Sequence, residues 1–114
     1  MRLDSALTLL ALGSGAFSFK IRTFTGKDCT GSAKEINIWD NTCRSTDIPT
    51  FKSFRVLAYG AHRQRAEFHK ASDSWCTSGT PFQSYWADGG SDKFKKDKCL
   101  TLSTSARVMN SRSA

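Results

Sequence analysis

The sequence predicts an all-β domain made of two similar halves and held by disulfides. Three observations carry this. Landmarks recur: Cys29-Thr-Gly-Ser, Trp39, Asp40, Cys43 and Ser53-Phe-Arg-Val56 in the first half return as Cys76-Thr-Ser-Gly, Trp86, Asp88, Cys99 and Ser105-Ala-Arg-Val108 in the second. In each half the Trp stands ten residues after the first Cys, an agreement of rare residues that chance matching among common ones does not readily give. The repeating unit is about forty residues long, and a repeat has to be identified before the fold is read. Apolar residues alternate with polar ones in several short segments separated by turns, the pattern of a sandwich or barrel. No convincing amphipathic helix is found after the N-terminal segment.

The elements follow in order. Met1–Ser18 has a short charged lead, an apolar run Ala6–Leu12 and then small residues, which is the pattern of a secretory signal peptide with cleavage after Ser18, or after Ala16. The run is far shorter than the roughly 20 residues a membrane helix needs. A buried N-terminal helix is the structural alternative. Removing 18 of the 114 residues leaves a single domain of 96, residues 19–114, built from repeats at about 20–58 and 62–109. Its formal charge stays at +7, because Arg2 and Asp4 leave together.

Phe19–Thr25 sets Ile21 and Thr23 against Arg22 and Phe24, a half-buried strand, and Thr25–Asp28 is a turn. Glu35–Trp39 is a short strand with Ile36 and Ile38 on one face. Asp40–Pro49 is polar and reads as a loop. Phe51–Tyr59 is apolar on both faces, as a strand at the centre of its sheet is. After Gly60, Gln64, Ala66 and Phe68 alternate with Arg65, Glu67 and His69, a strand with one wet face. Ala71–Pro81 is rich in turn residues, Phe82–Trp86 is aromatic, and Ala87–Lys98 is a glycine- and lysine-rich loop. Leu100 and Leu102 alternate with Thr101 and Ser103, Arg107–Met109 forms the last strand, and Asn110–Ala114 is a frayed basic tail.

Four cysteines in a short secreted chain imply two disulfides among Cys29, Cys43, Cys76 and Cys99. Three pairings exist, and the repeat favours Cys29–Cys43 with Cys76–Cys99, one bridge per half. Such bridges stabilise by roughly 3 kcal/mol each in the chain-entropy model, which matters for a domain this small. No Asn-x-Ser/Thr sequon is present.

Each half resembles a βγ-crystallin Greek key motif, in Phe24, Gly26 and Ser53–Val56 and again in Phe68, Gly79 and Ser105–Val108. The resemblance spans most of residues 20–109 and is nearest to small secreted, cysteine-containing microbial proteins, fungal ones in particular, with antifungal or toxin roles. It implies two intercalated four-stranded Greek keys packed as a sandwich. Calcium-binding members of the family place an acidic pair before the closing strand. Here Ile48 and Pro49 stand in that place in one half, and Leu100 and Thr101 in the other. These supply none of the carboxylates that calcium takes, so calcium binding is not carried over. Asp40, Asp47, Asp88 and Asp92 lie in loops where a different site could form.

Arg63, Arg65, Glu67 and His69 on one strand are the residue types of a metal-independent ribonuclease, namely clamp, base and acid. Against this, His62 is the only other histidine and lies on the same segment, and no histidine stands in the C-terminal half to serve the opposite side of a phosphate. No Cys-x-x-Cys, Gly-rich phosphate loop or defined Ser/His/Asp set is found, and the chain calls for no cofactor or metal. The strongest candidate surface is Lys93, Phe94, Lys95, Lys96 and Lys98, with Phe82, Tyr85 and Trp86 before it and Arg107 and Arg112 after it. Cations around exposed aromatics suit anionic lipid headgroups, cell-wall polymers or phosphates. The alternative is a solvated loop, with Trp86 buried as the repeat partner of Trp39. Asp88, Asp92 and Asp97 dilute the patch and argue against specific nucleic-acid binding.

The expected protein is a secreted, monomeric, non-enzymatic cationic β protein, an antimicrobial toxin or host-interacting effector acting at anionic cell surfaces. The second expectation is a module for an extracellular host or competitor protein, such as a protease inhibitor using Asp88–Lys98. A ribonuclease comes third.

Overall fold

The computed structural model describes residues 17–77 and 80–113. The expected leader lies largely outside them, at residues 1–16. The described chain is all-β and antiparallel: β1 Phe17–Phe24, β2 Ala33–Trp39, β3 Cys43–Arg44, β4 Phe51–Tyr59, β5 Gln64–Lys70, β6 Gln83–Trp86 and β7 Cys99–Ser113. The sheet runs in the order β2-β1-β4-β7-β5-β6, and β3 also pairs with β7.

The length of β7 explains this order. Its first residues, Cys99–Thr101, pair with Arg55–Ser53 of β4. Its second part, from Ala106 to Ser113, pairs with β5, and Met109 and Asn110 pair on the other edge with β3. Between the pairs Ser53↔Thr101 and Phe51↔Ala106 the register slips, so that residues 102–105 form a bulge that redirects the strand. The chain thereby makes two layers: β2, β1, β4 and the start of β7, then β6, β5, the rest of β7 and β3. Their faces meet. Phe54 of β4 stacks on Phe68 of β5 at 4.8 Å although those strands are not neighbours in the sheet, and Phe19 of β1 lies 6.5 Å from the same ring. Burial of such rings is the main favourable term, and the aromatic core is completed by Phe51, Tyr85 and Phe94.

The sequence repeat can be laid on this arrangement. β1 and β2 correspond to β5 and β6, β3 to the start of β7, and β4 to its remainder. The third segment of each half crosses to the other half's layer. Trp39 pairs with Phe17 on β1, and Trp86 pairs with Arg65 on β5.

The crossing corrects the expected disulfides. The bridges are Cys29–Cys99 and Cys43–Cys76. Cys43 lies on β3, which has left its own half, and meets the β5–β6 loop that carries Cys76. Cys99, at the start of β7, meets the β1–β2 loop that carries Cys29. Exchanging the halves turns one bridge into the other, so this pairing respects the repeat as fully as the expected one.

Other expectations are corrected locally. Phe17 and Ser18, assigned to the leader, belong to β1. The Phe17 ring packs edge-on against Trp39, and the buried Ser18 hydroxyl lies 2.6 Å from that of Ser111. A cut that spares β1 therefore falls no later than Ala16. The Ser18 carbonyl also accepts a 2.7 Å hydrogen bond from Gly60 N. A Cβ at Gly60 would sit 2.1 Å from the Phe17 carbonyl oxygen, so only glycine allows this approach. The Asp40–Pro49 loop contains β3. The supposed tail is part of β7, with Asn110 and Ser111 buried. Ser111, Gln64, Asn41 and Ser113 hold it in a polar network, in which Ser111 Oγ donates to Gln64 Oε1 at 2.6 Å and Ser113 N donates to Asn41 Oδ1 at 3.0 Å.

Candidate functional site

The lysine loop is less of a surface than the sequence implies. Phe94 is wholly buried. Its ring lies 5.4 Å from Tyr85, 5.6 Å from Phe19 and 6.0 Å from Phe54, so it anchors the loop to the core and cannot contact a partner. An aromatic residue flanked by lysines reads as an exposed contact until the space between the layers is known. Lys95 is tied back by a hydrogen bond from its ammonium to the Gly89 carbonyl. The end of the loop joins the first layer: Asp97 N donates to the Val56 carbonyl at 2.7 Å, and Val56 N donates to the Lys98 carbonyl at 3.1 Å. Asp97 adopts a left-handed backbone (φ 68°), which aspartate tolerates better than most residues.

Lys93, Lys96 and Lys98 remain exposed on this pinned segment. Arg55 donates to the Asp97 carbonyl at 2.7 Å, which brings β4 cations to the same place. Across the β1–β4 ladder Arg55 faces Arg22 directly. Like charges so placed are destabilising. Among the described residues the carboxylate that answers this lies on the Arg22 side, where Glu35 takes Arg22 at 2.6 Å and Lys20 at 3.2 Å. Hydrogen bonds from Arg22, then Lys20, hold the Glu35 carboxyl below the usual glutamate range. Arg22 and Arg55 on the ladder, and the exposed Lys98, Lys96 and Lys93 on the segment that Arg55 reaches, make a cationic ridge in which Glu35, Asp92 and Asp97 are interspersed.

The aromatics expected beside the lysines do not stand out from the surface. Tyr85 is in the core, where burial pushes its phenol pKa up, and Phe82 packs against the core. Trp86, expected to be buried, is half-buried beneath two guanidinium groups, with Arg63 3.9 Å and Arg65 4.7 Å from the ring centroid. Such cation–π contacts are worth about 0.5–1 kcal/mol at exposed sites. The large aromatics that are exposed are Trp39, at 43 %, and Trp75, at 48 %.

The ribonuclease-like set is dispersed. Arg63 and Arg65 serve Trp86, and Arg65 also donates to Ser84 Oγ. Glu67 and His69 do share a strand face, but it is not wet: Glu67 is 7 % exposed and His69 is wholly buried. They belong to one chain of hydrogen bonds. Arg112 Nε donates to Glu67 Oε2 at 2.8 Å, and Asn110 Nδ2 donates to Glu67 Oε1 at 3.1 Å. This fixes the Asn110 amide, so its Oδ1 accepts from His69 Nε2 at 2.7 Å. His69 Nδ1 is buried with no hydrogen-bond partner among the described residues. His69, enclosed in this way, cannot reach a phosphodiester, and Glu67 has both carboxylate oxygens engaged. His62, by contrast, is exposed and pairs through Nδ1 with Asp40 Oδ2 at 2.5 Å. Among the described residues no three His, Cys, Asp or Glu side chains gather where a cation could be held, and the loop aspartates form no such group. No described helix is long and apolar enough to cross a membrane.

A cleft of about 320 Å³ opens over the Glu67–Asn110–Arg112 end of this chain. Trp75, the Cys43–Cys76 bridge, Asn41 and Thr77 complete its wall. Sequence reasoning did not single it out. Trp75 adjoins Cys76 in a stretch read only as turns, and Glu67 and Asn110 are 43 residues apart. Compared with known protein families, curated proteins and solved structures, the chain matches none of them.

Proposed function

We propose that this is a secreted, non-enzymatic cationic protein that acts outside the cell at anionic cell surfaces, as an antimicrobial toxin or host-interacting effector. The observation that carries the reading is the ridge itself. Arg22 and Arg55 oppose each other across the ladder at a cost, beside three exposed lysines on a segment hydrogen-bonded to β4. A solvated loop needs neither the opposed arginines nor the anchoring. Fixed cations lose little freedom on meeting a negatively charged surface. The net charge of +7 and the two disulfides fit an extracellular role, and the leader-like Met1–Ala16 supplies the route. In the same reading the fold is a βγ-crystallin-like pair of intercalated Greek keys. The crossing of β3 onto β7, and of residues 97–101 onto β4, supports it.

The test is co-sedimentation with vesicles containing phosphatidylserine. Each cation near an anionic membrane contributes about 1 kcal/mol, so Lys96→Gln with Lys98→Gln should weaken binding roughly 30-fold. Unchanged binding by that double variant would refute the ridge as the contact surface. The rigidity of the loop also suits a protease-inhibitor loop. Stoichiometric, salt-tolerant inhibition of a secreted protease would identify that case.

A further inference from the structure

We propose that the cleft between Trp75 and Arg112 is a binding site for a neutral hexopyranose unit of a glycan. The site shares no residue with the cationic ridge, and its failure would leave the surface-binding reading standing.

The groups that line the cleft point to this ligand. Its volume, about 320 Å³, is at the lower end of the range for small-ligand sites. Its floor is polar and fixed. Glu67 is held through both carboxylate oxygens, one by Asn110 and one by Arg112, and Asn110 is held in turn by His69. Each carboxylate oxygen keeps a further lone pair, so Glu67 can still accept from a ligand hydroxyl. Donors and acceptors stand around it: the half-exposed Arg112 guanidinium, the Thr77 hydroxyl and the Asn41 amide nitrogen, while the Asn41 oxygen is held by Ser113 and the Thr42 hydroxyl donates to the Trp39 carbonyl. One wall is an indole, Trp75, nearly half of whose surface is open to solvent. A flat apolar face beside a preorganised carboxylate, amide and guanidinium is what a polyol with one C–H-rich face and a rim of hydroxyls requires. The indole covers the C–H face, and the polar groups exchange hydrogen bonds with adjacent hydroxyls.

The charge balance selects a neutral ligand over an acidic one. Among the described residues the one cation lining the cleft, Arg112, is already paired with Glu67 at 2.8 Å. A phosphate or carboxylate placed there would meet the Glu67 charge without a second cation to offset it. A neutral sugar has no such conflict. The site also has a rigid backing, because the Cys43–Cys76 bridge fastens the Trp75 segment to β3. That lowers the entropy lost on binding.

The experiment is titration calorimetry of the oxidised protein with neutral oligosaccharides of glucose, galactose, mannose and N-acetylglucosamine, with inositol phosphate and glucuronate as acidic controls. Saturable binding of at least one neutral sugar at millimolar concentration or tighter is expected. Trp75→Ala should weaken it by roughly tenfold or more, as removal of a central aromatic anchor does, whereas Trp75→Phe should restore most of it. The melting temperatures of both variants serve as the check on folding. Glu67→Gln should also weaken binding, with folding checked by near-UV circular dichroism. Absence of binding across the neutral panel overturns the proposal. So does neutral-sugar binding unaffected by Trp75→Ala, and so does a site that takes only the acidic controls.

Discussion

Replacing Phe94 by alanine separates a loop anchored in the core from a lysine loop in solvent. The Phe94 side chain is wholly enclosed, and its ring touches those of Tyr85, Phe19 and Phe54. Burial of a phenylalanine side chain contributes about 1.5–3 kcal/mol. Loss of the three ring contacts and the cavity left behind add to this, which brings the cost of Phe94→Ala to about 3–5 kcal/mol. Domains of this size are stable by only about 5–15 kcal/mol, so the variant should fold but melt some 15–30 °C lower. The assay is urea denaturation followed by circular dichroism, with the slope against denaturant held as the check on two-state behaviour. Lys96→Ala, two residues away and exposed, is the control and should change stability by no more than about 0.5 kcal/mol. A cost below about 1 kcal/mol for Phe94→Ala would mean that the ring is outside the core. The rigid ridge built on that anchor would then be wrong.

The other predictions concern the bridges, one carboxylate and the N-terminus. The disulfides close loops of 70 and 33 residues, so Cys29→Ser with Cys99→Ser should cost roughly 4.4 kcal/mol in the chain-entropy model, and Cys43→Ser with Cys76→Ser roughly 3.7 kcal/mol. Peptide mapping under non-reducing conditions should recover Cys29 with Cys99 and Cys43 with Cys76, and recovery of within-half pairs would contradict the crossed topology. Arg22 and Lys20 lower the Glu35 carboxyl pKa. Its contribution to stability is therefore present above the unfolded-state value and is lost as the pH falls through the folded-state value. Carboxyl titration by NMR should show Glu35 titrating below the ordinary glutamate range, and Arg22→Gln with Lys20→Gln should bring it back. N-terminal sequencing of the protein after expression through a secretory pathway should find an N-terminus no later than Phe17, since loss of Phe17 and Ser18 would remove the Phe17–Trp39 pair and the Ser18–Ser111 contact.

Much of the fold is legible in the sequence because local alternation reports on local burial. Phe51–Tyr59 is a strand over its full expected length and lies between two neighbours, as its two apolar faces require. What the pattern does not contain is which layer a segment joins. The two residues of β3 carry no alternation from which their crossing to β7 could be read, and the disulfide pairing depends on that crossing. The same gap hides the site chemistry. Glu67 and His69 alternate with Ala66 and Phe68 like residues on a wet face, yet they are buried together with Val108 and Asn110. Phe94 follows a lysine and precedes two more, and only the proximity of Phe19, Phe54 and Tyr85 shows that it points inward.

The salt dependence of binding to mixed phosphatidylserine–phosphatidylcholine vesicles tests the claim of an anionic-surface protein most directly. Exposed charges are screened beyond roughly 8 Å at physiological ionic strength and beyond about 3 Å at 1 M. Tight association is expected at low salt, with steady loss as salt is raised and none with phosphatidylcholine alone. Equal binding to neutral vesicles, or binding indifferent to salt, would contradict it.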